Sequence, residues 1–445
     1  MRGFRRVTPD KTRRSMRQKL CVCAAIVTLA AALAAGSRLV DRRSVVQAAG
    51  EMAPKFEVDP FWPKPLPNNW VIGQTIGLAI DASDNVWIVH RPGSLEAKES
   101  YLTRKEADCC TAAPDVLAFD STGNLIHSWG RVEGHDWPTS NHGITVDSKG
   151  NVWLGANGAG QPGPPPGSAA QFAAAGRGAA PAAPPSAEAG VATPGVRMYH
   201  DSFILKFSQT GQYLGQIGRA NGSKGSLDND NVRGVAQIRF DPKTNELIAA
   251  DGYGNHRVSV WDPDTLKFKR SWGAYGKKPT DDTLPPYEPG QPPAQQFRNP
   301  VHCAQPTNDG LVYVCDRVND RIQIFRTDGT FVKEVFLETN TKGDGSVWEI
   351  ALSRDPQQKY LYVADGANHK IHVFDREAMK EIYSFGSGGR QPGQFYALHS
   401  IAIDSKGNLY TTETYRGQRV QKFVYKGIGS VTTAHEGAPW PSGKK

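Results

Sequence analysis

The sequence predicts an all-β protein, a six-bladed β-propeller that follows an N-terminal export segment. Three observations predict this class: a unit of four short strands recurs six times, no convincing long helix interrupts the repeats, and the shortest repeat spacings suit a four-stranded blade. The repeats begin near residues 76, 142, 234, 300, 347 and 399.

Each repeat opens with two apolar strands joined by a polar turn. The clearest copies are IGLAIDASDNVWIV (76–89), NHGITVDSKGNVWL (141–154) and LHSIAIDSKGNLYT (398–411). The Asp, Ser and Gly-Asn between the strands are typical turn residues. A third strand follows, as in RVSVWD (257–262), and a fourth often ends in an aromatic residue and glycine, as in RSWG (270–273).

The sixth repeat lacks a good fourth strand after Phe423. We predict that KFEV (55–58), near the start of the mature chain, supplies this strand and closes the ring. Closure is expected because an open ring would leave sheet edges unpaired.

We divide the chain into an export segment at 1–50, a propeller at 51–430 and a C-terminal tail at 431–445. An insertion at 155–196, dominated by Gly, Ala and Pro, separates the second and third strands of blade two. Such a segment buries too little apolar surface to offset its ordering entropy, so we predict a mobile loop. Residues 91–114 occupy the same place in blade one, so both loops are predicted to emerge on one face.

The charge distribution argues against a nucleic-acid partner. The formal net charge is +8, but residues 1–50 contain eleven Lys and Arg against two acidic residues. The folded part is therefore close to neutral, whereas a nucleic-acid-binding domain keeps its basic patch. The apolar run at 20–36 follows the basic residues, which is typical of a signal peptide or of an uncleaved signal anchor. We expect an exported protein, periplasmic or extracellular, that contacts a membrane only through this segment if it is uncleaved.

Cys303 and Cys315 flank a predicted hairpin turn and are expected to face each other. They can form a disulfide or remain buried free thiols, and the sequence leaves both alternatives open.

Three histidines share one repeat position. His142, His302 and His399 each begin the innermost strand of blades two, four and six. Alternate blades of six are related by a third of a turn, so these side chains should converge on the channel axis. Three imidazoles with one open position are typical of a catalytic zinc site, although another divalent metal would also suit them. The alternative is three unrelated structural histidines.

A second group of candidates lies where the second strands end. Arg91 and Arg317 occupy equivalent positions, and arginine binds carboxylates through two parallel hydrogen bonds. Tyr253, near the end of the corresponding strand of blade three, is a candidate general acid or base, with Tyr415 of blade six in reserve. The alternative for each is a structural role at the end of a blade.

The motifs resemble those of a known family. VADGANHKIHVFD (363–375) and CDRVNDRIQIF (315–325) are similar to NHL repeats. From roughly Asn69 to Phe423 the chain resembles the peptidyl-α-hydroxyglycine α-amidating lyase family, also called peptidylamidoglycolate lyases. The matching motifs are GLAIDASDNVWIVHR (77–91), HGITVDSKGNVW (142–153), ADGYGNHRV (250–258), VHC (301–303), CDR (315–317) and LHSIAIDSKGNLY (398–410).

The resemblance implies a reaction and roles for the candidates. The substrate would be an N-acyl α-hydroxyglycine, a small molecule or a peptide with a terminal carboxylate, which is cleaved to an amide and glyoxylate. Zinc would be bound by the three histidines, Tyr253 would be the general base, and Arg91 and Arg317 would hold the carboxylate.

The chain also departs from the family pattern. The resemblance implies a structural calcium bound by an Asp and by two backbone carbonyls, here those of Leu78 and Ile144. Ser400 stands in place of that Asp, and the carboxylate is lost. Gly254 stands where the family has a disulfide-forming Cys, and the insertion at 155–196 is foreign to the pattern.

Two other classes remain as alternatives. A metal-dependent propeller hydrolase such as a lactonase usually recruits carboxylate ligands, and the sequence predicts none level with the histidines. A non-catalytic NHL-type binding scaffold would hold no metal and would tolerate replacement of His142, His302 and His399.

Overall fold

The computed structural model describes residues 51–131, 133–158, 161–162 and 198–431. The predicted export segment lies outside the described residues, as do all but the first residue of the predicted tail and most of the 155–196 insertion. The first two residues of that insertion belong to the strand Val152–Ala156 rather than to a loop. No helix in the described part of the chain is long and apolar enough to cross a membrane.

The described strands form six four-stranded antiparallel sheets, which confirms the six-bladed propeller. The strands of each blade follow one another in chain order, with short extra strands inserted in blades one and two, except that the sixth blade takes one strand from the N-terminal side. In order along the chain, the blades contain Gln74–Ile80, Val86–Arg91, Val116–Phe119 and Leu125–Trp129; Asn141–Val146, Val152–Ala156, Phe203–Phe207 and Tyr213–Gly218; Val235–Phe240, Leu247–Asp251, Arg257–Trp261 and Phe268–Trp272; Val301–Pro306, Leu311–Asp316, Arg321–Arg326 and Phe331–Phe336; Glu349–Leu352, Tyr360–Asp365, Lys370–Asp375 and Lys380–Phe385; and Leu398–Ile403, Leu409–Glu413 and Arg419–Ser430 with Met52–Asp59.

Short elements complete the described chain. Trp70–Val71 pairs in parallel with Thr111–Ala112, and Gln161–Pro162 pairs with Met198–Tyr199 in antiparallel fashion. The 3-10 helices span Pro92–Ser94, Ala97–Glu99, Ala274–Gly276 and Arg317–Asn319.

The strand Met52–Asp59 closes the ring. It pairs with Arg419–Ser430 as the outermost strand of blade six, as the sequence predicted for residues 55–58. The closure joins the two ends of the propeller domain in one sheet, so neither end leaves an open edge at this junction.

The repeated turn between the first two strands is fixed by an aspartate. In blade two, Asp147 accepts backbone N–H groups from Lys149 and Asn151 at 2.9 and 2.8 Å. Its second oxygen accepts the indole N–H of buried Trp153 at 2.9 Å. The same bonds therefore set the hairpin and anchor a core side chain, which explains why the turn motif recurs with the strands.

Of the two alternatives for Cys303 and Cys315, the structure contains the disulfide. Cys303 and Cys315 are paired residues of neighbouring strands in blade four and form a disulfide. Cys109 and Cys110, adjacent in the long loop of blade one, are also disulfide-bonded.

Candidate metal centre in the propeller channel

The innermost strands of five blades are irregular near their start. Their register shifts between Thr75 and Gly77, Asn141 and Ile144, Val235 and Gln237, Val301 and Cys303, and Leu398 and Ser400. These irregularities are β-bulges, which leave a residue unpaired and re-aim its side chain. The residues at this position, including Trp348 just before the paired strand of blade five, are Ile76, His142, Ala236, His302, Trp348 and His399.

The structure brings the three histidines of this set together. His142, His302 and His399 are 1%, 2% and 3% exposed, and one ring nitrogen of each lies within 4.8 Å of the others. Their ring centroids are 4.8 to 5.2 Å apart. Within the described part of the chain, this is the one group of three or more His, Cys, Asp or Glu side chains found close enough to hold a metal ion.

The blades between the histidines hold the rings in place. His142 Nδ1 donates to the carbonyl of Ala236 at 2.7 Å, and His302 Nδ1 donates to the carbonyl of Trp348 at 2.5 Å. Each acceptor occupies the equivalent position of the next blade. A metal-binding histidine usually fixes its orientation and tautomer through such a bond from the other ring nitrogen.

The ring of His399 is held through an intervening hydroxyl instead of directly by a backbone carbonyl. His399 Nδ1 lies 3.2 Å from Ser400 Oγ, and that hydroxyl donates to the carbonyl of Ile76 at 2.9 Å. Because the hydroxyl hydrogen goes to Ile76, Ser400 accepts from His399. All three Nδ1 atoms therefore carry hydrogen, which leaves each Nε2 unprotonated, the form that binds a metal.

The electrostatic environment keeps these imidazoles neutral. Burial lowers the pKa of His142, His302 and His399 well below the usual value, and the positive charge of Arg317 lowers each further. Arg91 contributes in the same direction to the pKa of His142 and of His399. Neutral rings do not have to lose a proton before they bind a cation.

Tyr253 and Arg317 adjoin the three rings. The Tyr253 hydroxyl lies 2.9 Å from His142 Nε2 and 3.2 Å from His302 Nε2. Arg317 Nη1 lies 3.4 Å from the same hydroxyl, and its Nη2 lies 3.5 Å from a carboxylate oxygen of Asp344. Arg317 Nε is buried without a hydrogen-bond partner. The guanidinium thus has only long polar contacts and retains donors for an anion.

Arg91 is held more tightly, by neutral oxygens. Its Nε donates to the carbonyl of Asn141 at 3.0 Å, Nη1 to the side chain of Gln74 at 2.9 Å, and Nη2 to the side chain of Asn157 at 3.0 Å. None of these partners cancels its positive charge. Arg91 therefore adds to the positive field at the histidines while its direct contacts are structural.

Tyr415, the reserve candidate, is occupied elsewhere. Its hydroxyl donates to Asp344 at 2.8 Å, and burial followed by this carboxylate raises the pKa of Tyr415. It does not share the position of the Tyr253 hydroxyl beside the rings.

Sequence reasoning missed two channel residues, Trp348 and Glu349. The Trp348 ring packs against the Arg317 guanidinium at 4.6 Å, while its carbonyl anchors His302. Glu349 follows it and lines a cavity beneath His302 and His399. Their place in the repeat was the available signal, because Trp348 aligns with His302 and Glu349 aligns with Cys303. Neither residue is a histidine, so the histidine pattern did not point to them.

The calcium expectation does not suit the residues present. Leu78 and Ile144 do line the cavity beneath the histidines, but Arg239 and Glu349 line it as well, and these two form an ion pair. Calcium prefers six to eight oxygen ligands with carboxylates among them. Here Ser400 offers a neutral hydroxyl, and the one carboxylate in the lining is paired with a cation.

Fold and site together define this chain as a six-bladed propeller with a buried group of three histidines in its channel. It is similar to two proteins of Xenopus laevis, peptidyl-glycine alpha-amidating monooxygenases A and B. The chain is 25% identical to A over 285 residues and to B over 286 residues, 63% of its length in both cases. The matched part spans 24% of A and 26% of B, about a quarter of either relative.

Other comparisons are more distant. No protein-family model matches the chain. A streptogramin B lyase structure aligns with a TM-score of 0.45 and 13% identity over 83% of this chain and 98% of that chain. A catalytically inactive virginiamycin B lyase from Staphylococcus aureus, with quinupristin, aligns with a TM-score of 0.41 and 12% identity over 86% and 89%.

Proposed function

We propose that this protein is a metal-dependent lyase that cleaves an N-acyl α-hydroxyglycine to an amide and glyoxylate. The proposal rests on the convergence of three neutral imidazoles, each fixed through its Nδ1 atom. They lie beside the Tyr253 hydroxyl and beside Arg317, whose Nε has no hydrogen-bond partner among the described residues. The similarity to two peptidyl-glycine alpha-amidating monooxygenases supports a substrate related to a peptidyl-glycine.

His142, His302 and His399 suit zinc or a similar divalent ion. Three imidazole nitrogens leave one coordination position for a substrate, which is the pattern of catalytic rather than structural zinc sites. A divalent ion bound there would lower the pKa of a substrate hydroxyl.

Arg317 is the proposed carboxylate-binding residue. Its unpartnered, buried Nε and its long contacts to Tyr253 and Asp344 leave N–H groups for an anion. A guanidinium can bind a carboxylate through two parallel bonds, so it would fix the end of the substrate. Arg91, whose donors are taken by neutral oxygens, is proposed to act mainly through its charge.

Tyr253 is proposed to move the proton. Its hydroxyl adjoins two of the three Nε2 atoms, so it would lie beside a substrate hydroxyl bound at the centre of the group. Tyr253, acting as its phenolate, would accept the proton of that hydroxyl as the carbon–nitrogen bond breaks. The hydroxyl carbon becomes the aldehyde of glyoxylate, the bonding electrons go to the amide nitrogen, and that nitrogen takes up the proton from Tyr253, which restores the phenolate.

The hydrolase alternative is less well supported by the channel. A carboxylate does lie beneath the histidines, but Glu349 is held by Arg239 and Gln237 and is not in the ligand group. The scaffold alternative would leave the neutral Nε2 atoms and the free Arg317 donors without a use.

We also propose that the protein is exported. The basic and apolar order of residues 1–36 supports this, and so does the disulfide between Cys303 and Cys315, because such bonds persist mainly in oxidising compartments.

The test is metal content together with glyoxylate release on the purified full-length chain. We expect about one zinc per chain and glyoxylate from α-hydroxyacylglycines, with both lost in His302→Ala. His127→Ala is the matched control, because His127 stacks on Trp87 in the outer strand of blade one, away from the channel. A wild-type chain that takes up no metal after incubation with zinc would exclude the proposed lyase and favour the scaffold.

A further inference from the structure

The cavity beneath the three histidines contains an ion pair of its own. Glu349 is 5% exposed, and its Oε1 accepts Arg239 Nη2 at 2.5 Å and Gln237 Nε2 at 2.6 Å. Burial raises the pKa of Glu349, whereas the charge of Arg239 and the hydrogen bond from Gln237 lower it. A buried carboxylate of this kind needs a cation within contact distance.

The rest of the network leaves few polar groups unused. Arg239 also donates from Nη1 to the carbonyl of Ile238 at 2.9 Å and from Nε to Gln305 Oε1 at 3.2 Å. The Gln237 side-chain oxygen accepts the backbone N–H of Ala304 at 2.8 Å. The network therefore connects the inner strands of blades three, four and five, and Ser400 of blade six lines the same cavity.

We propose that the Arg239 guanidinium is the resident cation of this part of the channel and that it replaces a structural metal ion there. The chain would then bind one divalent ion, at His142, His302 and His399, and none at Leu78 and Ile144. This inference concerns the channel below the histidines and does not rest on the proposed lyase activity.

Electrostatics supports an exchange of one cation for another. A guanidinium bonded to Glu349 occupies the carboxylate that a calcium ion would need, and its charge repels a second cation in the same cavity. The neutral hydroxyl of Ser400 fits the same arrangement, because a guanidinium with one carboxylate partner is already balanced. A second carboxylate would carry an unpaired buried charge.

The first experiment uses the full-length wild-type protein. We expect its Tm to be the same in excess EGTA as in millimolar calcium, and calcium to be absent after gel filtration. A Tm that rises with calcium, or stoichiometric calcium that survives gel filtration, would overturn the proposal whether or not the protein has lyase activity.

The second experiment removes the internal cation. Arg239→Met keeps most of the side-chain length but leaves Glu349 buried and unpaired, so its Tm in EGTA should fall by several degrees. Added calcium should restore part of that loss, because a carboxylate and an uncharged cavity are now available to it.

The matched control is the double variant Arg239→Met/Glu349→Gln. Removal of both charges should recover most of the lost Tm and abolish the response to calcium. A double variant that is no more stable than Arg239→Met would overturn the charge-pair argument. If Arg239→Met is insoluble and the double variant is soluble, the same conclusion is supported; if neither is soluble, the wild-type calcium experiment decides.

Discussion

Two adjacent levels of the channel differ in how fully their polar groups are used. The upper level, hereafter the imidazole level, consists of His142, His302 and His399 with Tyr253 and Arg317. The lower level, hereafter the carboxylate level, consists of Gln237, Arg239, Glu349 and Ser400. Among the described residues, the Tyr253 hydroxyl is the one donor of the upper level that contacts Nε2 of His142 and His302, and the Arg317 Nε donor has no partner. In the lower level the carboxylate of Glu349 accepts from Arg239 and from the Gln237 side-chain nitrogen, and the Gln237 oxygen accepts a backbone N–H.

The difference separates binding from support. Polar groups in a buried level that already satisfy one another hold the blades together, and a ligand there would have to break those bonds. Polar groups that remain available at comparable burial are arranged for something the chain itself does not supply. Ser400 belongs to both levels, because its hydroxyl contacts His399 above and the residue lines the cavity with Glu349 below.

The largest expected effect comes from the group that would move a proton in the imidazole level. Tyr253→Phe removes only a hydroxyl, so the proposed activity should fall about 10²–10⁴-fold in kcat while metal content stays at the wild-type value. Glyoxylate release and metal mass spectrometry on the same preparation measure both.

Tyr415→Phe is the matched control for that experiment. Tyr415 also lies near Arg317, but its hydroxyl is bonded to Asp344. If Tyr415→Phe loses as much turnover as Tyr253→Phe, the assignment of the base to Tyr253 is wrong.

A smaller effect is expected at the residue that joins the two levels. Ser400→Ala removes the acceptor of His399 Nδ1, while His142 and His302 keep their carbonyl acceptors. Loss of such an outer bond typically lowers metal affinity about 10–100-fold. Competition with a zinc chelator measures it, and Ser400→Thr, which keeps a hydroxyl, should remain close to wild type. An unchanged affinity in Ser400→Ala would show that the two levels are independent.

The fold was predictable because the repeat carries its own turn chemistry. Residues such as Asp147 set the hairpin and hold a core tryptophan, so the motif and the strands recur together. The closing strand at Met52–Asp59 was predictable for a topological reason, since blade six was one strand short.

The candidate site was predictable only in part. Repeat position places His142, His302 and His399 at one level, but the bulges that turn them inward depend on pairing between strands that the letters do not specify. The anchors of His142 and His302 are backbone carbonyls, which every residue has, so Ala236 and Trp348 give no sequence signal for that role. The Arg239–Glu349 pair joins residues 110 apart in sequence, and only the closed ring brings them together.

The smallest expected effect tests how available Arg317 is. Asp344 reaches Arg317 at 3.5 Å from a side chain that is 47% exposed, between two glycines with left-handed backbone angles, φ of 69° and 72°. A carboxylate of this kind would compete with a substrate carboxylate for the same guanidinium. Because an exposed pair contributes at most about 1 kcal/mol, Asp344→Asn should lower KM by no more than about fivefold and leave kcat nearly unchanged.

Asp264→Asn, which disrupts an exposed pair with Lys149, is the control and should not alter KM. A raised KM in Asp344→Asn would mean that Asp344 orients Arg317 for the substrate and does not compete with the substrate. The Arg317 donors would then already be used within the protein, like those of the carboxylate level.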